Sequence, residues 1–104
     1  ELDLSNFNTS KVKDMRMIFS GCTELATLDI SGFDTSNVEN MAEMFRNCES
    51  LTSININHFV TDKVTSMARM FEGCKLLSLL DLSNFKTDMV ENMMAMFART
   101  NLTE

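Results

Sequence analysis

Apolar residues return at fixed places along the chain. Leu2 and Leu4 alternate with Asp3 and Ser5, the period-two pattern of a short strand with one buried face. The same alternation recurs at Leu28 and Ile30, at Ile54 and Ile56, and at Leu80 and Leu82. Further on, Val12, Met15, Ile18, Phe19 and Cys22 follow at steps of 3, 3, 1 and 3, which covers one stripe of a helix. The spacing predicts strands near 2–5, 28–31, 54–57 and 80–83, and helices near 11–20, 37–46, 63–72 and 89–98. Ser10, Ser36, Asp62 and Asp88 stand where each helix would begin, and a side-chain oxygen there can accept from an orphan amide. Glu39 and Glu91 stand three residues further on and complete a capping box. Gly21, Asn47 and Gly73 stand where the helices would end, residue types that tolerate a left-handed turn.

These patterns are four copies of one line with a period of 26 residues and no insertion. Phe7, Phe33, Phe59 and Phe85 share a column, as do Phe19, Phe45, Phe71 and Phe97, and these columns hold every phenylalanine of the chain. The copies run 2–27, 28–53, 54–79 and 80–104. One short strand and one short helix cannot bury their own apolar faces, so the copies are expected to stack. The expected fold is an α/β repeat, with a parallel sheet on one face and short helices on the other. Methionines at core spacing read as gap-filling core residues, because an unbranched side chain adapts to variable space.

Composition narrows the function. The chain of 104 residues with 44% apolar content supports one domain. Its net charge is −6 with Lys and Arg scattered singly, which argues against nucleic acid as a partner. No apolar run approaches the roughly 18 residues of a membrane span, so direct membrane insertion by this segment is not expected. Residue 2 is already a core strand position and neither end carries a polar capping repeat, so the chain is expected to be part of a longer array.

The line L-D-L-S-x-F-x-T-S-x-V-x-x-M-x-x-M-F-x-x-C-x-x-L resembles the BspA-like leucine-rich repeat of bacterial surface proteins, over residues 2 to about 100. The resemblance implies a leucine-rich-repeat solenoid, an extracellular or cell-surface location and a partner-binding or adhesion role. It implies no catalytic site and no cofactor. The fourth copy departs from the line: Thr100 replaces the cysteine, Arg99 the glycine, and Leu102 lies one place out of register.

Candidate chemistry is sparse. Cys22, Cys48 and Cys74 share one column without a local pair for zinc, and read as free buried thiols, with a disulfide as the alternative. His58, the single histidine, lies in a turn column without a serine or cysteine partner and reads as a solvated turn residue. No glycine-rich phosphate loop is present, and the expectation is a protein that is not an enzyme. Asp3, Asp29, Asn55 and Asp81, flanked by Ser5, Ser31, Asn57 and Ser83, form an outward polar ladder. It is either a solvated sheet face or a partner-binding surface; calcium would need six to eight converging oxygens, more than a flat ladder offers. Asn8-Thr9-Ser10 and Asn101-Leu102-Thr103 are formal glycosylation acceptors. In the fourth copy, outward helix columns turn apolar at Met89, Met94 and Ala98, which marks a candidate contact with a further coil, a capping segment or a partner. The expected function is a protein-interaction or adhesion module; the alternative is a structural scaffold or brace in a larger assembly.

Overall fold

Backbone hydrogen bonding decides the fold, and it runs between copies rather than along them. The computed structural model describes residues 2–3 and 8–102. In it the amides of Met15, Met17, Phe19 and Gly21 donate to the carbonyls of Asn40, Ala42, Met44 and Arg46. Met41, Glu43, Phe45 and Asn47 donate in the same way to Ser66, Ala68, Met70 and Glu72, and the third copy repeats this toward the fourth. Every second residue is thus tied to the coil that follows. The residues between them close tight turns: Met44 N–H reaches Met41 C=O at 3.3 Å, Arg46 reaches Glu43 at 3.2 Å, and Cys48 reaches Phe45 at 3.2 Å. Parallel bridges Asp14–Asn40, Asn40–Ser66 and Ser66–Asn92 open this ladder. In the leading segments, β1 (Leu2–Asp3) pairs in parallel with β2 (Leu28–Asp29), and Ser53 bridges Leu79.

The strand-and-helix coil of a leucine-rich-repeat solenoid is therefore corrected. Among the described residues there is no helix, and regular strand is limited to the two dipeptides. Residues 54–57 and 80–83 form no strand, and 11–20, 37–46, 63–72 and 89–98 are dominated by turns. Each of those segments holds a left-handed residue, Met17, Glu43, Arg69 or Ala95, with φ between 54° and 59°; a single such residue ends an α-helical run. Ser10 and Ser36 cap no helix, since amide and hydroxyl of each donate to Oδ1 of Asn8 and Asp34. Nor do Glu39 and Glu91 complete capping boxes: both are exposed, and their amides donate to Lys13 and Thr65 one coil back. Gly21, Asn47 and Gly73 do adopt left-handed φ, joined by Arg99, yet they close tight turns.

Spacing gives the physical reason. Helices pack with axes about 8–10 Å apart, whereas hydrogen-bonded strands lie about 4.8 Å apart. The phenylalanine rings stack at 5.6 Å (Phe19–Phe45), 5.4 Å (Phe45–Phe71) and 5.9 Å (Phe71–Phe97), within 9° of parallel. A coil repeating that closely has no room for a helix and finds its backbone partners in the neighbouring coil instead.

The core nevertheless lies where the apolar columns place it. Val38, Met41, Met44, Phe45, Cys48 and Leu51 are fully buried, as are Val64, Met67, Met70, Phe71, Cys74 and Leu77 one coil later. Burying each phenylalanine is worth about 1.5–3 kcal/mol. A second column stitches the coils from within. Thr35 is buried; its hydroxyl donates to the Val60 carbonyl at 3.0 Å and accepts from the Val60 amide at 2.8 Å. Thr9 serves Asp34, and Thr61 serves Lys86, in the same way.

Candidate functional site

The polar ladder is built from side chains that bend their own backbone. Asp29 Oδ1 accepts from both the amide and the hydroxyl of Ser31, at 3.0 and 2.7 Å. Asn55 Oδ1 accepts from the Asn57 amide at 3.0 Å, and Asp81 Oδ1 from the Ser83 amide at 2.9 Å. Each is an Asx turn, in which a short polar side chain replaces a backbone acceptor. Hydrogen bonds from Ser83 hold the Asp81 carboxyl below the usual carboxylate range, so it is charged at neutral pH. Asn55, Asn57, Asp81, Ser31 and Ser83 are exposed and Asp29 is half-buried. Ser5 and the side chain of Asp3 lie outside the described residues.

Two shallow depressions lie along this ladder. One, of about 410 Å³, is lined by Ser53, Ile54, Asn55, Asn57, Leu79, Leu80 and Asp81. The other, of about 210 Å³, is lined by residues 27–31 together with Asn55. Asn55 belongs to both, so the polar column runs through a continuous open surface that leucine and isoleucine also line. Among the described residues no group of His, Cys, Asp and Glu converges as a metal site, and none of the coils forms a helix long and apolar enough to cross a membrane.

A charged cluster that sequence reading passed over lies on the second and third coils. Glu72, whose side chain is only 8% exposed, pairs with Arg46 Nε at 2.7 Å and Arg69 Nη1 at 2.9 Å, while Arg46 also pairs with Glu43 at 3.1 Å. Burial alone would raise the Glu72 carboxyl, but the Arg69 and Arg46 guanidinium groups outweigh it and hold it below its ordinary value. The signal was present. Glu43 and Arg69 share one column and Arg46 and Glu72 another, so the sign alternates from coil to coil.

The fourth coil exposes Met89 (55%) and Met94 (56%), with Ala98 half-buried. It also exposes Met93 (45%) and Phe97 (40%), whose column mates Met67 and Phe71 are fully buried. Column logic assigned Met93 and Phe97 to the core, and only their position on the outermost described coil brings them to the surface. The three cysteines are free. Cys48 Sγ donates to Phe19 O at 3.2 Å and Cys74 Sγ to Phe45 O at 3.0 Å, and the nearby Cys74 sulfur together with burial pushes the Cys48 thiol up. His58 is exposed, its ring edge-on to Phe59, and its Nε2 lies 3.0 Å from the Ile30 carbonyl. A carbonyl only accepts, so Nε2 carries the proton and the ring ties two coils together. Asn8 and Asn101 are exposed.

Comparison with known proteins places this geometry in a family. The family described as "Mycoplasma protein of unknown function, DUF285" matches residues 1–104, the whole chain, and the chain belongs to it. That finding replaces the BspA-like leucine-rich-repeat assignment suggested by the repeat line. No curated protein and no solved structure matches the chain.

Proposed function

We propose that this member of the DUF285 family is a non-enzymatic protein-interaction module that binds a partner along its polar ladder. The supporting observation is the open surface running through Asp29, Asn55 and Asp81, whose side-chain positions are fixed by Asx turns before any partner arrives. Preformed turns lower the ordering cost of binding. The net charge of −6 and the charged Asp81 favour a basic partner segment, and the leucine and isoleucine that line the same surface favour apolar side chains spaced between the basic ones.

Selection from a random-peptide display library tests this. The wild-type chain is expected to enrich basic peptides with interspersed apolar residues, and the Asp29→Lys/Asp81→Lys variant to lose them. Enrichment that is equal on both proteins, or absent on the wild type, contradicts the reading. A structural role in a larger assembly is the second reading, favoured by the exposed apolar side chains of the fourth coil.

A further inference from the structure

The cysteine column runs through the interior of the stack, and the ladder sets its spacing. Cys48 and Cys74 follow directly on Asn47 and Gly73, and the Asn47 amide donates to Glu72 O at 2.7 Å, so the two turns are tied together at this point. Phe45 and Phe71, three residues before each cysteine, stack at 5.4 Å. Hydrogen-bonded neighbours lie roughly 4.8 Å apart, inside the range of about 4.4–6.8 Å that a disulfide spans between Cα atoms. The sulfur leans the right way for such a bond. Phe45 O accepts the Cys48 amide at 3.2 Å and the Cys74 thiol at 3.0 Å, so the Cys74 sulfur reaches back onto the turn that Cys48 closes. Both residues are fully buried on the second and third coils, each covered on both sides by described coils.

We infer that Cys48 and Cys74 are a redox latch: hydrogen peroxide closes them into a disulfide that ties the second coil to the third, and a thiol reductant reopens it. One thiolate attacks a peroxide oxygen, which gives a sulfenic acid and releases the first water. The second sulfur then attacks the sulfenic sulfur, and hydroxide leaves with the remaining thiol proton as the second water. Two thiols and one peroxide thus become one disulfide and two waters, with two electrons passing from sulfur to oxygen. Reopening runs through a mixed disulfide, and the reductant's two thiols are oxidised in turn. Burial sets the speed. The Cys74 sulfur and burial push the Cys48 thiol up, and the thiolate is the nucleophile, so the latch closes slowly and under sustained oxidation. Cys22 is half-buried and acts on the Cys48 thiol less than Cys74 does, which leaves it as the odd thiol of the three. A bridge between residues 26 apart restricts the unfolded chain and should raise the thermal midpoint by roughly 10 °C. The latch is separate from partner binding on the polar ladder and stands or falls independently.

Hydrogen peroxide added to the folded, unmodified chain tests this, with remaining thiols alkylated before digestion. Trypsin cuts after Arg46, Lys63, Arg69 and Lys75, which leaves Cys48 on peptide 47–63 and Cys74 on peptide 70–75. Those two peptides are expected as one disulfide-linked species from the monomeric band of a non-reducing gel, with Cys22 alkylated on peptide 17–46. The thermal midpoint should rise on oxidation and fall back when dithiothreitol is added. That reversal separates the latch from methionine sulfoxide, which needs its own reductases. Cys48 linked to Cys22 instead, links only between separate chains, or both thiols still alkylated after prolonged exposure overturns the inference. So does a link that leaves the midpoint where it was. A link formed in the same proportion by the urea-unfolded chain also overturns it, because the folded column would then not be what selects the pair.

Discussion

Replacing Thr35 by valine removes one hydroxyl from a buried site and changes almost nothing in volume. That hydroxyl is held in two hydrogen bonds to Val60, one given at 3.0 Å and one accepted at 2.8 Å. A typical intramolecular hydrogen bond contributes about 0.5–1.5 kcal/mol, so the pair is worth about 1–3 kcal/mol. The upper half of that range is expected, because Thr35 is 1% exposed and valine leaves the Val60 amide and carbonyl facing an apolar methyl. The same column supplies a control. Thr87 is exposed and its hydroxyl has no hydrogen-bond partner among the described residues, so Thr87→Val should change stability by less than about 0.5 kcal/mol. Urea unfolding followed by circular dichroism, with the slopes compared to confirm an unchanged unfolding transition, gives both values. Equal costs at the two sites would refute the reasoning, since threonine would then matter for the turn it occupies and not for the coil it joins.

Three further expectations follow from particular contacts. Phe45→Ala should destabilise by about 3–5 kcal/mol, as it empties a fully buried place between two stacked rings, while Phe97→Ala, 40% exposed, should cost clearly less; chemical denaturation of the pair checks the order. Gly73 and Gly21 share φ +78°, but a Cβ at Gly73 would overlap Asn47 Oδ1 and one at Gly21 meets open space. Gly21→Ala should therefore cost only the left-handed strain of about 1–2 kcal/mol, and Gly73→Ala measurably more, read from thermal midpoints. Glu72 has a folded-state pKa held below its ordinary 4.5, so its contribution to stability is present above that value and is lost as pH falls through the folded pKa. Glu72→Gln should flatten the fall of the urea midpoint between about pH 5 and pH 3, and a profile parallel to the wild type would contradict the ion-pair assignment.

Burial was legible in the sequence and the backbone was not. Steps of 3, 3, 1 and 3 between Val38, Met41, Met44, Phe45 and Cys48 give one buried stripe in a helix, but turns closed by Met41–Met44 and Phe45–Cys48 bring the same residues to one side. The apolar period cannot separate these two backbones. A polar column could have. Asp14, Asn40, Ser66 and Asn92 stand inside the segments read as helices, and their side chains bond two residues ahead, to the amides of Arg16, Ala42, Ala68 and Met94. Such residues compete with helical bonding and favour turns. The left-handed column carried no such sign, since Met17, Glu43, Arg69 and Ala95 are all ordinary helix formers. The threonine column was visible as a repeat, yet its partner lies 25 residues ahead, beyond any local pattern. At the ladder itself the alternation placed Asp29, Asn55 and Asp81 in one column, but a strand reading gave no reason for the Asx turns that hold them.

Scalar coupling through hydrogen bonds, measured by NMR on the uniformly labelled chain, reads the partner of each amide directly. The Phe45 amide nitrogen should couple to the carbonyl carbon of Met70, and Met41 and Glu43 to those of Ser66 and Ala68, each to the next coil. Coupling of Phe45 to the carbonyl of Met41, the i to i−4 partner of an α-helix, would contradict a stack joined coil to coil through its backbone.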